Sequence, residues 1–176
     1  MIQRSAESEH NRGTHMGTSS QSDKAAFVER VRSARAELNQ ALSGLSEEQL
    51  THEATIGDWS VKDVLAHLAA WTGEAAMAVE RALHGEQVGP LVIESVDDWN
   101  ARRVAERRRL PLVDVVQEFN ETYDRLLDAL EAAPADAIPL GPAGWDQSAR
   151  LWWLTEHDRE HLDALQAYRG QLEVTV

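Results

Sequence analysis

The sequence has no cysteine among its 176 residues. This absence excludes disulfides, thiolate metal ligands and cysteine nucleophiles, so any bound metal must be held by histidine or carboxylate. Long apolar runs are also missing: no segment approaches the roughly 18 to 20 residues of a membrane span, and the N-terminus has no apolar signal segment. We therefore expect a cytoplasmic protein with no membrane partner.

Positive charge is scarce as well. Lysine and arginine number 17 against 30 aspartates and glutamates, which gives a formal net charge of −13. Nucleic-acid binding needs a basic face that neutralises phosphates, so this balance predicts no nucleic-acid partner. The arginines cluster between Arg102 and Arg109, interrupted by Glu106. We interpret this run as a solvated helix face, with contact to an anion or acidic substrate as the alternative.

Residues 1–20 are polar and show no periodicity. They cannot bury enough apolar surface to offset the entropy of ordering them, so we expect a disordered leader. The stretch 13–17 resembles a cloning remnant or an upstream start, and His10 and His15 are excluded from the site for that reason. One bundle domain is expected over residues 21–172, since a chain of this length has room for a single well-buried core.

Four long segments carry apolar residues at the three-and-four spacing of amphipathic helices. They span about 22–42, 60–83, 112–132 and 147–168, and a shorter helix is expected over about 96–108. No segment alternates apolar and polar residues as a half-buried strand would. The pattern predicts an all-α fold, with the short helix in the connection between the second and third long helices.

Local sequence signals set the expected helix ends. Ser60 and Asp63 have the spacing of a capping-box pair at the start of the second long helix. Gly44, Gly85 and Gly170 follow three of the long segments and predict their ends. The prolines and glycines of residues 134–144 predict a loop without regular structure.

Three histidines lie on or beside the apolar stripes of two of these helices. His67 lies at the edge of the stripe of the second long helix, and His157 and His161 occupy successive turns of the stripe of the fourth. A spacing of four places both rings on one side, about 6 Å apart at the backbone, where they can chelate one ion. Burial of three unpartnered imidazoles is costly, whereas a divalent ion binds neutral imidazole. Hydrogen-bonded core histidines are the alternative that the spacing leaves open.

Three histidine ligands would leave open positions on a first-row ion, which is typical of a catalytic rather than a structural site. Such an ion can lower the pKa of bound water toward about 7 or hold an anionic substrate atom. The neighbouring acids Glu156, Asp158 and Glu160 could orient the rings, or they could be plain solvated charges.

The tract from Asp58 to Trp71, DWSVKDVLAHLAAW, followed much later by His157 and His161, resembles the DinB/YfiT-like superfamily of bacterial four-helix-bundle metalloenzymes. Two further tracts, DWNAR at 98–102 and RLPL at 109–112, are most similar to its ClbS/DfsB-like branch. The resemblance covers about residues 22–170. It implies an up-down-down-up bundle whose crossover runs from Gly85 to Val96.

The resemblance also implies a divalent metal, commonly zinc or nickel, on His67, His157 and His161. Some members of the superfamily are transferases and isomerases that use a low-molecular-weight thiol such as mycothiol, bacillithiol or glutathione, and the metal would activate that thiol as a thiolate. Members like the ClbS group hydrolyse a reactive cyclopropane toxin. The resemblance therefore implies a metal-dependent transferase or hydrolase that acts on a small electrophile.

Two further functional classes stay open at this point. The bundle could bind or sequester a small molecule without turnover, as in a toxin-sequestering self-protection protein, or it could be structural, with satisfied core histidines and no metal. Members of the superfamily are often dimers, and exposed apolar positions on the first and third long helices fit either a homodimer or intrachain packing.

Two tryptophans are expected near the histidines. Trp71 lies one turn after His67, and Trp153 lies one turn before His157. Both indoles could wall a substrate cavity, although large aromatics at helical spacing also serve as plain core.

Three more residues are candidates for contact with a substrate. Tyr123 lies on the stripe of the third long helix, where its hydroxyl could donate a proton or bind an oxyanion. Trp99 and Asn100 are expected on the short helix that covers the end of the bundle, where they could contact the same small molecule.

Overall fold

The structure is a computed structural model that describes residues 21–86, 95–138 and 151–174. Within these ranges the chain forms α-helices, one 3-10 helix and an isolated β-bridge between Ile56 and Trp59, and it contains no strand. The predicted all-α class is therefore confirmed. The expected disordered leader, residues 1–20, lies outside the described residues.

The described helices follow the predicted segments closely. They are α1 (Gln21–Leu42), α2 (Glu47–Thr51), α3 (Val61–Leu83), α4 (Val96–Arg108), α5 (Leu112–Ala132) and α6 (Trp152–Val174), with a 3-10 helix at Ala135–Ala137. The sequence analysis missed the five-residue α2. It also wrongly treated Ala135–Ala137 as irregular. The rest of that expected loop, from residue 139 on, lies outside the described residues, as do residues 147–150, which were expected to begin α6.

The predicted end of α6 at Gly170 is wrong, because the helix continues to Val174. A glycine inside a helix costs only about 1 kcal/mol relative to alanine, so contacts with other helices can offset it. Arg169 supplies such contacts: its guanidinium donates to the carbonyl oxygens of Ala41 at 2.9 Å and Ser43 at 2.6 Å, at the end of α1.

The capping box predicted at the start of α3 is confirmed. The Asp63 amide donates to Ser60 Oγ at 3.1 Å, and Asp63 Oδ2 accepts from the Ser60 amide at 3.1 Å. These two bonds satisfy donors that the first helical turn leaves free, so they fix where α3 begins. His67 follows two turns later on the buried face.

The long helices bury their apolar faces against one another. α3 packs on α4, α5 and α6, and α1 packs on α5 and α6. The largest fully buried side chains come from α1, α3, α5 and α6 and include Tyr123, Phe27, Phe119, Leu65, Leu154 and Leu165. None of the described helices is both long and apolar enough to cross a membrane.

The arginine run of α4 attaches that helix to its neighbours. Arg107 Nε donates to Glu118 on α5 at 2.8 Å. Arg108 forms a two-bonded pair with Asp63, at 3.0 and 3.1 Å. The interpretation of this run as a solvated face is therefore wrong for Arg107, whose side chain is only 15% exposed, whereas Arg108 is exposed and still pairs with a residue of another helix.

Candidate metal centre

Three histidines converge between α3 and α6. Nε2 of His157 lies 2.7 Å from Nε2 of His67 and 3.2 Å from Nε2 of His161. One ring nitrogen of each residue lies within 4.8 Å of the other two, so the three side chains can bind a single ion. The sequence pattern predicted the pair on α6, and the fold brings His67 to it.

Burial keeps these rings in the form that binds metal. Desolvation, together with the neighbouring rings of His157 and His161, lowers the pKa of His67 to about 3. Desolvation and the His161 ring lower the pKa of His157 to about 3, and desolvation lowers the pKa of His161. All three rings are therefore neutral at pH 7, with lone pairs available to an ion.

The donor set fits a first-row divalent ion such as zinc or nickel. Three neutral imidazole nitrogens converge, and no cysteine is available to compete. The 2.7 Å separation of His67 and His157 is shorter than the roughly 3.3 Å expected for two nitrogens bonded at about 2.0–2.1 Å to one tetrahedral ion. Binding would therefore require the rings to move apart slightly.

The Nδ1 atoms of two of the rings lack the hydrogen bonds that metal-bound histidines usually make. Nδ1 of His67 and Nδ1 of His157 are buried without a hydrogen-bond partner. A metal-bound histidine commonly donates this N–H to a carboxylate or a carbonyl. The neighbouring acids considered from the sequence do not fill this role, because Glu156 and Glu160 are exposed.

Trp59 contacts the cluster and was not identified as a site residue from the sequence. Its ring centroid lies 4.8 Å from that of His67 and 6.4 Å from that of His161, and its plane is inclined by only 14° to the His161 ring. The sequence signal that could have identified it was a tryptophan directly before the residue that caps a helix. The direction of the Trp59 side chain depends on the turn that precedes α3, and helical periodicity does not describe that turn.

The four residues proposed from the sequence as substrate contacts lie together beside the histidines. Trp71 packs on Trp99 at 4.2 Å and on Trp153 at 5.0 Å between ring centroids, and its Nε1 donates to Asn100 Oδ1 at 2.9 Å. Trp153 lies 5.4 Å from the ring of His157. We call Trp71, Trp99 and Trp153 the aromatic wall. Its contact with a substrate stays a prediction.

Tyr123 lies in the core. Its side chain is fully buried, and its hydroxyl faces Asp158 and Thr72 without an aligned hydrogen bond to either. Burial, together with the Asp158 charge, raises the pKa of Tyr123 well above 10. None of the ring contacts of the described residues joins Tyr123 to the three histidines, and its role in proton donation or oxyanion binding stays a prediction.

Asp158 is neither a solvated charge nor a partner of the histidine rings. It is fully buried, and its two carboxylate oxygens have no aligned hydrogen bond. Desolvation raises its pKa to about 7, and only the contact with Tyr123 opposes that shift. The sequence carried a signal for this burial, because Leu154, Asp158 and Leu165 lie on one stripe of α6.

A separate groove of about 520 Å³ lies between α3 and α5. Its lining is largely charged and includes Glu80, Glu121, Asp124, Arg125 and Asp128. None of the three histidines lines it, so it is distinct from the candidate metal centre.

Comparison with known proteins places this helical chain in a family. The family model described as mycothiol maleylpyruvate isomerase N-terminal domain matches residues 31–162, a range that contains His67, His157 and His161. The chain is also similar to the uncharacterized protein YuaE of Bacillus subtilis (strain 168), with 25% identity over 154 residues that cover 80% of this chain and 95% of that protein. No solved structure gives a significant match. The chain therefore belongs to the family of mycothiol maleylpyruvate isomerase N-terminal domains, within the DinB/YfiT-like superfamily.

Proposed function

We propose that the protein is a metal-dependent enzyme that transfers a group to, or hydrolyses, a small electrophilic molecule. One observation carries this proposal: the Nε2 atoms of His67, His157 and His161 converge while burial keeps their rings neutral. These three side chains would hold a divalent ion, with zinc and nickel as the leading candidates. When bound, the ion would act as a Lewis acid that lowers the pKa of a coordinated thiol or water.

We further propose that the nucleophile is a low-molecular-weight thiol. The family description names mycothiol, and this chain has no cysteine of its own, so a thiol would have to be supplied from outside. With three protein ligands, a first-row ion keeps at least one position for such a molecule. Water in that position is the hydrolytic alternative.

The chain's own contribution would be orientation and exclusion of water. The aromatic wall lies directly beside His157, and Trp71 and Trp99 are each only 8% exposed. Asn100 is held by Trp71 at the edge of this wall, where an amide could bind a polar group of the substrate. Such a wall would exclude water from the space next to the metal. This desolvation would strengthen every electrostatic interaction with the reacting molecule.

Several finer predictions accompany the proposal. We infer that α1, α3, α5 and α6 form an up-down-down-up four-helix bundle, an inference supported by the contacts of α1 and of α3 with both α5 and α6. Placement in the ClbS/DfsB-like branch, a cytoplasmic location and a homodimer stay predictions. A protein that sequesters its ligand without turnover is the alternative function, and it would retain the molecule unchanged.

The first experiment is elemental analysis of protein purified without metal-affinity resin, alongside the double variant His157→Ala, His161→Ala. We expect near-stoichiometric zinc, nickel or iron in the parent and its loss in the variant. The parent would then be screened with low-molecular-weight thiols and small electrophiles, with product formation separating an enzyme from a sequestering protein. A parent that holds no metal even after zinc or nickel is added would refute the proposal.

A further inference from the structure

The orientation of the histidine rings needs a physical cause. Nδ1 of His67 and of His157 has no hydrogen-bond partner, so the usual carboxylate or carbonyl does not fix these rings. An imidazole that is free to turn about its side-chain bonds loses conformational entropy when it binds an ion, and that loss lowers affinity. Packing against the ring faces is the remaining means of holding them.

Trp59 packs against two of the three rings at once. Its indole lies 4.8 Å from the His67 ring, at 51° between planes, and 6.4 Å from the His161 ring, at 14°. These histidines belong to different helices, α3 and α6. One rigid side chain therefore touches a ligand from each of the two helices that build the cluster.

The backbone that carries Trp59 is itself well anchored. Ile56 and Trp59 exchange two backbone hydrogen bonds, at 2.8 and 3.1 Å, across a tight turn in which Gly57 has a φ of +60°. Glycine adopts that conformation without steric cost. The next residue, Ser60, caps α3 through its box with Asp63. The indole is thus attached to the fixed end of the helix that bears His67.

We propose that Trp59 is a positioning residue of the metal centre. Its flat indole holds the rings of His67 and His161 in their convergent orientation and shields that side of the cluster from water. The inference rests on the proposed metal site, because it assigns to Trp59 the task that hydrogen bonds to Nδ1 perform in other metalloproteins. It is distinct from the aromatic wall, which packs beside His157.

Loss of the flat ring should weaken metal binding. Removing the partners that orient metal-bound histidines typically costs about 10- to 100-fold in affinity. Methionine at this position would fill much of the same volume but is flexible and has no planar face, whereas phenylalanine would keep a planar face. We therefore expect Trp59→Met to weaken zinc binding by about 10-fold or more, and Trp59→Phe to stay within about threefold of the parent.

Trp152 offers a matched control. It is a partly buried tryptophan on α6 that stacks on Phe27 at 5.8 Å and lies under the Arg30 guanidinium, and its ring contacts include none of the three histidines among the described residues. Trp152→Met removes the same chemical group from the same protein at a position whose described ring contacts are Phe27 and Arg30. It should leave zinc affinity unchanged.

The test measures the zinc dissociation constant of the full-length parent, Trp59→Met, Trp59→Phe and Trp152→Met by competition with a chromophoric chelator. The visible spectrum of the Co²⁺-loaded proteins reports the ligand geometry, and circular dichroism reports folding. A weakened Trp59→Met with an altered Co²⁺ spectrum, beside a near-parental Trp59→Phe, supports the proposal. If Trp59→Met does not fold, Trp59→Leu, which also lacks a planar face, replaces it: weakened zinc binding with altered Co²⁺ bands supports the proposal, and parental affinity with parental bands refutes it.

Two outcomes would overturn the inference, and they have different meanings. A folded Trp59→Met that binds zinc as tightly as the parent, with the same Co²⁺ spectrum, refutes the positioning role and leaves the metal site intact. A parent that binds neither zinc nor cobalt refutes the proposed function itself, and the role of Trp59 falls with it.

Discussion

The indole Nε1 of Trp71 donates a hydrogen bond of 2.9 Å to Oδ1 of Asn100. This bond joins α3, which carries His67, to α4, which carries Trp99. The Trp71 ring packs on Trp99 at the same place, so a polar and an aromatic contact hold α4 beside the candidate metal centre.

The first prediction concerns this bond. Asn100→Ala should destabilise the protein by about 1–3 kcal/mol, because it leaves a largely buried indole N–H without its acceptor. Asn120→Ala is the control, since the partner of that amide among the described residues is a carbonyl of its own helix, at 2.9 Å, and the change should cost under about 1 kcal/mol. Urea denaturation measures both, and equal losses would show that the bond to Trp71 has no special weight.

The second prediction concerns Asp63, which serves both the cap of α3 and the ion pair with Arg108. Arg108 is exposed, so Arg108→Ala should cost no more than about 1 kcal/mol. Asp63→Ala removes the cap as well and should cost about 1–2 kcal/mol more than that. Chemical denaturation of both variants and of the double variant measures how much stability each change costs. If Arg108→Ala lost more stability than Asp63→Ala, the prediction would be contradicted.

The third prediction is that acid destabilises the metal-free protein. The folded-state pKa values of His67 and His157 are about 3, below the ordinary 6.5. Between these values the unfolded chain binds protons that the folded chain does not, so stability is fully present above pH 6.5 and is lost as the pH falls. Asp158 acts in the opposite direction, because its folded-state pKa of about 7 exceeds the ordinary 3.8.

The histidines should prevail, since three rings oppose one carboxyl. We expect a loss on the order of 1–3 kcal/mol per pH unit between about pH 6 and 4. Urea denaturation at several pH values, with chelator present, measures the slope. Asp158→Asn removes the opposing group and should make the decline steeper. A stability that stays flat or rises on acidification would show that the three rings are not neutral in the folded protein.

The fourth prediction separates Tyr123 from the chemistry. Tyr123→Phe should change stability by about 1–2 kcal/mol, because it deprives the buried Asp158 carboxyl of its polar neighbour. Zinc stoichiometry and affinity should be unchanged, since the hydroxyl faces Asp158 and Thr72 in the core. Elemental analysis and chelator competition test this. A tenfold loss of zinc affinity would restore Tyr123 to the site.

The sequence was informative wherever a feature depends on local periodicity. The stripe of α6 predicted that His157 and His161 share a side, and the spacing of Ser60 and Asp63 predicted the start of α3. The convergence of His67 with that pair depends on how α3 and α6 pack, and the superfamily resemblance supplied it. The positions of Trp71 and Trp153 beside His157 followed from helical register, since each lies one turn from one of the histidines in the sequence.

The missed features depend on partners that are distant in sequence. The ion pairs of Arg107 and Arg108 were not predicted because their partners, Glu118 and Asp63, lie on other helices. Trp59 was missed because its direction is set by a turn rather than by a helical period. The burial of Asp158 could have been predicted from its position on the apolar stripe of α6, but its charge favoured the interpretation as a solvated residue. Only the packing of the helices shows that Tyr123 covers it.

The reach of α6 beyond Gly170 constrains how the chain can vary in length. Arg169 lies eight residues after His161, about 12 Å along the helix axis, and it binds the carbonyls that end α1. Inserting or deleting one residue between them would rotate Arg169 by about 100° relative to His161, so one of the two contacts would be lost. We expect relatives that keep both to have the same number of residues between these positions, with gains and losses of chain lying outside residues 161–169.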